Sequence, residues 1–295
     1  MNLFSISQLS RYSGIKPHTI RIWEQRYDAL KPSRSDGNTR YYDSEQLRRL
    51  LNIVSLSNST NYKISELCEM SDKKLFDMIN EELDRSVQPE NQHEYYVSQL
   101  IAAAMSYDEL HFDKMLMKAL VRYGVKDAYV RVMYPLLVRT GLLWSGDALP
   151  AASEHFMSNL LKQKMFAAID GLPPVKSTAD KWLLFLKEDE FHEIGLLFSN
   201  YMLRVSGKQV IYLGGNVPFA SLTQAIGVIQ PDYLLFFVVR HDTPDINESY
   251  AQQLTNSFKG KKIYVAGDSQ HLDQLNLGEK FQQLRTVEDL EKVLA

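Results

Sequence analysis

A histidine set between a carboxylate and a glycine is the first feature of this 295-residue chain that could do chemistry. Glu190, His192 and Gly195 form E-x-H-x-x-G just after the apolar run WLLFL at 182–186. A carboxylate two residues ahead of an imidazole can hold one ring nitrogen and aim the other at a metal. Gly195 allows close approach of a bulky ligand or a neighbouring backbone. The loop LGGNVPF at 213–219 adds Gly214 beside a second glycine. Trp144, with Glu154 and His155 ten and eleven residues on, forms another group. These three either face one pocket or serve as a core tryptophan and a cap-region pair. His241 and Asp242 follow a later apolar run, as part of the same mouth or as a polar loop. Neither a P-loop nor H-E-x-x-H nor G-x-S-x-G occurs.

A different chemistry occupies the first fifty residues. In SISQLSRYSGIKPHTIRIWEQRYDAL (5–30), a short helix from Ser7 to Tyr12 is expected to stop at Gly14. A second helix is expected to start near Lys16 and Pro17, proline being accepted in a first turn. Ile20 and Trp23 would then face inward, leaving His18, Thr19 and Arg21 on the exposed start of that helix. In a helix-turn-helix those early residues meet base edges in the major groove. SRSDGNTRYYD at 33–43 reads as a basic ribbon around Gly37, with Arg34, Arg40 and Tyr41 placed to hold phosphates. Lys16 and Arg26 complete the candidate DNA-contacting set.

The elements that must position these residues change in kind along the chain. DRSVQPENQHE at 84–94 is polar, carries Pro89 and reads as a linker. Beyond it, Val97, Leu100, Ile101, Ala104 and Met105 keep helical spacing, as do Leu116, Ala119, Leu120 and Tyr123, and then Met157, Leu161 and Met165. GLPPVKST at 171–178 breaks the pattern. After it come short, mostly apolar runs: WLLFL at 182–186, QVIYLG at 209–214, DYLLFFVV at 232–239, KIYVAG at 262–267 and QLRTV at 283–287. Such runs suit strands buried on both faces, and their alternation with helical stretches predicts a doubly covered parallel sheet. Ligands of such sheets bind at the carboxyl ends of the strands, where E-x-H-x-x-G falls.

Composition agrees with this division. Hydrophobic residues at 45% and charged residues at 23% exclude a disordered or fibrous chain. The single cysteine, Cys68, excludes an internal disulfide and a cysteine-based zinc site and fits a reducing, cytoplasmic setting. The apolar runs are far below the roughly 20 residues of a membrane span, and no secretory signal is visible. Residues 1–55 carry nine Lys and Arg against five Asp and Glu, a balance of +4, while the rest carries −7. A basic head on an acidic body points to a head that meets a polyanion.

The motif PHTIRIWEQRY followed by Arg34, Gly37 and Arg40–Tyr41–Tyr42 resembles the N-terminal winged-helix domain of MerR-type transcription regulators. Residues 95–295 resemble the cobalamin-binding module of methionine synthase, and more closely its version in light-responsive MerR-type repressors. The resemblance implies a multidomain α and α/β chain. Residues 1–75 would be a winged helix-turn-helix and 76–94 a linker. A four-helix bundle cap would follow at 95–172, then a flavodoxin-like (Rossmann-type) parallel sheet at 178–295. It also implies a non-enzymatic regulator, more a repressor than an activator, with operator DNA and a cobalamin (adenosyl or methyl) as partners. A dimer or tetramer is expected, and with no long coil after the head the contact must lie in the later domains.

By the same resemblance His192 takes the cobalt with Glu190 behind it, and Trp144, Glu154 and His155 lie over the upper corrin face. Gly195 and Gly214 line the cradle. The family's Ser-x-Leu, which holds the displaced nucleotide tail, is replaced here by Phe237, Val238 and Val239, and its Gly-Gly by Ala266–Gly267. Ser145 stands where the light-sensing branch has a ligating histidine. Two rival readings follow: a regulator whose body has lost cobalamin and serves as an interaction module, and a corrinoid-dependent methyltransferase component.

Overall fold

The computed structural model describes residues 3–35, 38–85, 90–145, 151–175, 179–239, 244–258, 260–267, 272–273 and 281–294. Within these, the side chains of 59, 80, 82–85, 90–91, 142–145 and 244–248 lie outside the description. The chain forms two compact units, Met1–Leu160 and Leu161–Ala295.

The first unit is helical. Helix α1 (Ile6–Ser13) opens on a capping box, in which the Ser5 and Gln8 side chains each accept the other residue's backbone N–H. It closes on Gly14, whose φ of 72° is the left-handed conformation that glycine adopts without strain. Helix α2 (Pro17–Tyr27) starts on proline as expected. A two-stranded ribbon follows, β1 (Ser33–Arg34) antiparallel to β2 (Arg40–Tyr41). Gly37 lies outside the described residues. Helix α3 (Ser44–Ser59) is capped by Asp43, and α4 (Ile64–Glu69) and α5 (Asp72–Arg85) complete the head. Arg49 ties these pieces together, donating to the carbonyls of Ala29, Cys68 and Met70.

Of the polar stretch 84–94, expected as a linker, residues 84–85 and 90–94 are helical, and residues 86–89 lie outside the described residues. α5 runs to Arg85 and α6 (Glu90–Ser106) begins five residues later. Polar residues continue both helices because burial of Leu75 and Ile79 in α5, and of Tyr95, Tyr96 and Val97 in α6, holds the opposite faces. The bundle continues with α7 (Glu109–Ala128), which breaks at Gly124, a π-turn (Tyr129–Met133), α8 (Tyr134–Ser145) and α9 (Ala151–Asp170). Head and bundle belong to the same compact unit, whose limit falls inside α9.

The second unit is built on a five-stranded parallel sheet: β3 (Lys181–Lys187), β4 (Gln209–Val217), β5 (Tyr233–Val238), β6 (Lys262–Gly267) and β7 (Phe281–Leu284). Their order is β4-β3-β5-β6-β7. The last strand ends before the expected 283–287 segment does, because Val287 already opens the amphipathic C-terminal helix α13 (Val287–Leu294). Leu183, Phe185, Leu234, Phe236, Ile263 and Val265 pack on one face against residues of α11 (Phe219–Ile229) and α12 (Pro244–Ser257). Helix α10 (Ile194–Val205) lies against β3, β4 and β5 and contributes nothing to that cluster, so it covers the other face. Starting from β3, the chain adds β4 on one side and then crosses to add β5 on the other. The topological switch point therefore lies between β3 and β5, where such sheets open a crevice.

Candidate functional site

The described chain offers two places for chemistry, one in each unit. In the head, α2 leaves Lys16, His18, Arg21 and Arg26 exposed and Thr19 half-buried, while Ile20 is fully buried. Trp23, expected inside, is only half-buried, while Leu9, Tyr12 and Ile20 are fully buried.

Arg34 is exposed and donates to Asn38 Oδ1 (2.5 Å) across the ribbon turn. Tyr41 is half-buried. Arg40 has a partner that sequence did not foresee. Its Nε donates to Glu24 Oε1 (2.8 Å), and Tyr42 Oη donates to Glu24 Oε2 (2.8 Å). Glu24 lies on α2, so one carboxylate fastens the ribbon to that helix. That carboxylate holds the Arg40 guanidinium more firmly protonated than usual, and burial raises the Tyr42 phenol. Arg40 is thus first a brace, and a phosphate contact only through its remaining donors.

The head also meets the bundle through a buried polar chain. Gln99 of α6 donates from Nε2 to Asn52 Oδ1 on α3 (2.7 Å), and its Oε1 lies 2.9 Å from His111 Nε2 on α7. A carboxamide oxygen accepts, so Nε2 carries a proton. Burial, with Arg48, lowers the His111 pKa to about 4 despite the opposing charge of Asp108. Arg48 donates to Ser106 Oγ and Asp108 Oδ2 beside it. Asn52, Gln99 and His111 were not singled out from the sequence. Their signal, polar residues inside apolar helical spacing, is ambiguous without the partner helix.

In the second unit the E-x-H-x-x-G segment falls between the end of β3 and the start of α10, at the carboxyl edge beside the switch point. Glu190 is fully buried. Its Oε1 accepts from the backbone N–H groups of Phe191 (2.9 Å) and His192 (3.0 Å) and from His192 Nδ1 (2.6 Å). The imidazole itself is 57% exposed. A carboxylate only accepts, so Nδ1 carries the proton and Nε2 the lone pair that a metal takes.

The loop is stitched to the end of β4. Asn216 N–H donates to the Glu190 carbonyl (2.8 Å), and Asp189 N–H donates to Asn216 Oδ1 (3.0 Å). Glu193 Oε1 accepts from Gly215 N–H (2.9 Å) and Tyr212 Oη (3.2 Å). Gly214 has φ of 80°, and a Cβ there would come within 2.9 Å of that carboxylate oxygen. Glu193, Tyr212 and Asn216 escaped sequence reasoning because residues far apart in the chain meet only once β3 and β4 pair.

Gly195 does not leave the open approach expected of it. A Cβ on it would stand 2.7 Å from Phe237 Cε1, so the aromatic ring already covers it. Ala266 is buried, and Gly267 lies so close to the Val238 carbonyl that a Cβ would meet its oxygen at 2.5 Å. Val239 is 37% exposed. In the first unit Glu154 Oε2 and His155 Nδ1 pair with each other at 3.0 Å near the start of α9. The side chains of Trp144 and Ser145, and the whole of His241 and Asp242, lie outside the described residues.

Among the described residues no three His, Cys, Asp or Glu side chains gather as a metal cage. A metal at His192 therefore has to bring most of its ligands with it, as the cobalt of a corrin does. The firmly oriented imidazole fits such a metal; the filled space beside Gly195 does not fit a long appendage on the ring's lower face.

Residues 4–74 match the family of MerR HTH family regulatory proteins, and residues 96–168 match the B12 binding domain family. The HTH-type transcriptional repressor CarH of Myxococcus xanthus is 25% identical over 267 residues, 90% of this chain and 88% of that protein. The repressor CarA of the same organism is 27% identical over 255 residues, 86% of this chain and 82% of that protein. Among solved structures, the monomethylamine corrinoid protein of Methanosarcina barkeri superposes with a TM-score of 0.52 at 16% identity. It covers 66% of this chain and 95% of its own length, a likeness of fold. Among the described residues no helix is long and apolar enough to cross a membrane.

Proposed function

From a chain that joins a MerR-type helix-turn-helix head to a B12 binding domain and is homologous to the CarH and CarA repressors over most of its length, we propose a corrinoid-sensing transcription regulator. It acts by binding, not by turnover. α2 reads operator bases through His18 and Arg21. Lys16, Arg26 and Arg34 hold phosphates, and the Glu24 brace to Arg40 and Tyr42 keeps helix and ribbon at a fixed angle. The observation that carries the sensing half is the Glu190–His192 clasp at the switch point of the sheet.

When bound, a corrinoid would supply a cobalt centre able to exchange a ligand, held by His192. This chain's part is to hold His192 with its lone pair outward, to fix that ring through Glu190, and to keep the loop rigid through Asn216 and Glu193. Occupancy can change operator affinity only by the difference in the ligand's affinity for the two states. Relief or onset of repression then follows from a change in self-association of the body. Ser145 makes light sensing through a ligand at that position no part of this reading.

The test is an absorption titration in the dark with aquocobalamin and aquocobinamide, beside operator mobility shifts with and without each. A shifted corrin spectrum that His192→Ala removes, together with a changed operator affinity, supports the reading. No spectral change with either corrinoid ends it. The rival reading of a body without corrinoid draws on Phe237 over Gly195, and the same titration decides between them.

A further inference from the structure

The crevice beside His192 is filled from within. Gly195 stands three residues after His192 at the start of α10, and Phe237 stands near the end of β5, across the switch point from β3. The ring lies so close that a Cβ on Gly195 would be 2.7 Å from Cε1, 3.2 Å from Cδ1 and 3.4 Å from Cζ. Behind it Ala266 is buried and Gly267 abuts the Val238 carbonyl. On the other flank, Glu193 sits against Gly214 and Gly215 and accepts from Tyr212. Both sides of the loop that presents His192 are closed by this chain's own side chains.

Ligand chemistry gives that closure a consequence. A cobalamin carries its own base on a nucleotide tether fixed to the lower face of the corrin. If His192 takes the cobalt from that face, the base must leave and the tether must pass beside the imidazole. Where the fold opens a crevice, between the ends of β3 and β5, Phe237 already stands. A corrinoid without the nucleotide makes no such demand, since ring and cobalt need only the exposed face of His192. Close-packed interiors resist an added group at such a point.

We infer that this chain selects tail-less corrinoids, of the cobinamide class, over complete cobalamins, with Phe237 as the residue that discriminates. The inference rests on the reading of His192 as the cobalt ligand and names the class of corrinoid that the site takes.

Full-length protein is titrated in the dark with aquocobinamide and with aquocobalamin, and binding is read from the corrin absorption bands and from co-elution in gel filtration. Aquocobinamide is expected to bind at least about tenfold more tightly. Phe237→Ser is expected to improve cobalamin binding and to close most of that gap, leaving cobinamide binding little changed. Phe237→Leu, a milder change that keeps the site apolar, is expected to close it in part. His192→Ala should lose the spectral shift with both corrinoids. Equal affinities in the wild type, or a preference for cobalamin, would overturn the inference while leaving the proposed function intact. So would a ratio unmoved in both folded Phe237 variants. If neither corrinoid binds the wild type or either variant, the assignment of His192 fails and the inference fails with it.

Discussion

Acidification should loosen the first unit through one side chain. His111 is buried where α7 meets α3 and α6, and it is neutral when folded because burial and Arg48 lower its pKa to about 4. Lys114 and Lys118 on its own helix push the same way, and Asp108 at the helix start opposes them. In the unfolded chain a histidine titrates near 6.5. The folded value is the lower one, so between the two values the unfolded state binds the extra proton. Stability is therefore fully present above about pH 6.5 and is lost as pH falls towards 4. Each pKa unit corresponds to about 1.36 kcal/mol, so the full loss is roughly 3 kcal/mol and the loss at pH 5 about 2 kcal/mol.

Urea denaturation of the full chain, followed by far-ultraviolet circular dichroism of the helices, measures this at pH 7 and pH 5. Many carboxylates titrate over that range, so the informative quantity is the comparison with His111→Gln. That variant keeps a donor for Gln99 and has no charge to gain. The wild type should lose about 2 kcal/mol more than the variant between the two pH values. A difference under about 0.5 kcal/mol, or an NMR titration of His111 centred near the unfolded value of roughly 6.5, would refute the reasoning.

Other expectations follow from the same geometry. Arg21→Ala should cost about 1–3 kcal/mol of operator binding and relax sequence preference in mobility shifts. Glu24→Gln removes a negative charge from α2, the helix proposed to read the operator, and charge alone predicts tighter binding. Because Glu24 braces Arg40 and Tyr42, weaker operator binding is expected instead, and tighter binding would dismiss the brace. Glu190→Gln should weaken corrinoid retention about 10- to 100-fold, as loss of an outer carboxylate does for a ligating histidine, with the loop otherwise folded. A fragment of residues 1–80 should be monomeric and denature more readily than the same helices in the full chain, since it lacks Gln99 and Asp108 as partners for Asn52 and Arg48. Light scattering and dichroism on the fragment check both points.

Local rules already determined a good part of this protein. Gly14, Pro17 and the apolar spacing around Ile20 place the two helices of the head, because a left-handed turn, a proline-tolerant first turn and a buried stripe each depend on neighbouring residues alone. The runs at 182–186, 209–214, 232–239 and 262–267 have apolar centres without polar alternation, which marks strands covered on both faces and puts Glu190 and His192 at a carboxyl edge. Polar composition at 84–94 does not by itself separate a linker from the exposed faces of helices, and it is the burial of Leu75, Ile79 and Tyr96 that marks the helices at either end. Tertiary structure alone decided what depends on residues distant in the chain. Glu24 meets Arg40 and Tyr42 only when the ribbon folds back on α2, and Asn52 meets Gln99 only when α3 and α6 pack. The Phe237 ring reaches Gly195 because a parallel sheet places β5 beside β3, a neighbour relation set by strand order and not by sequence spacing.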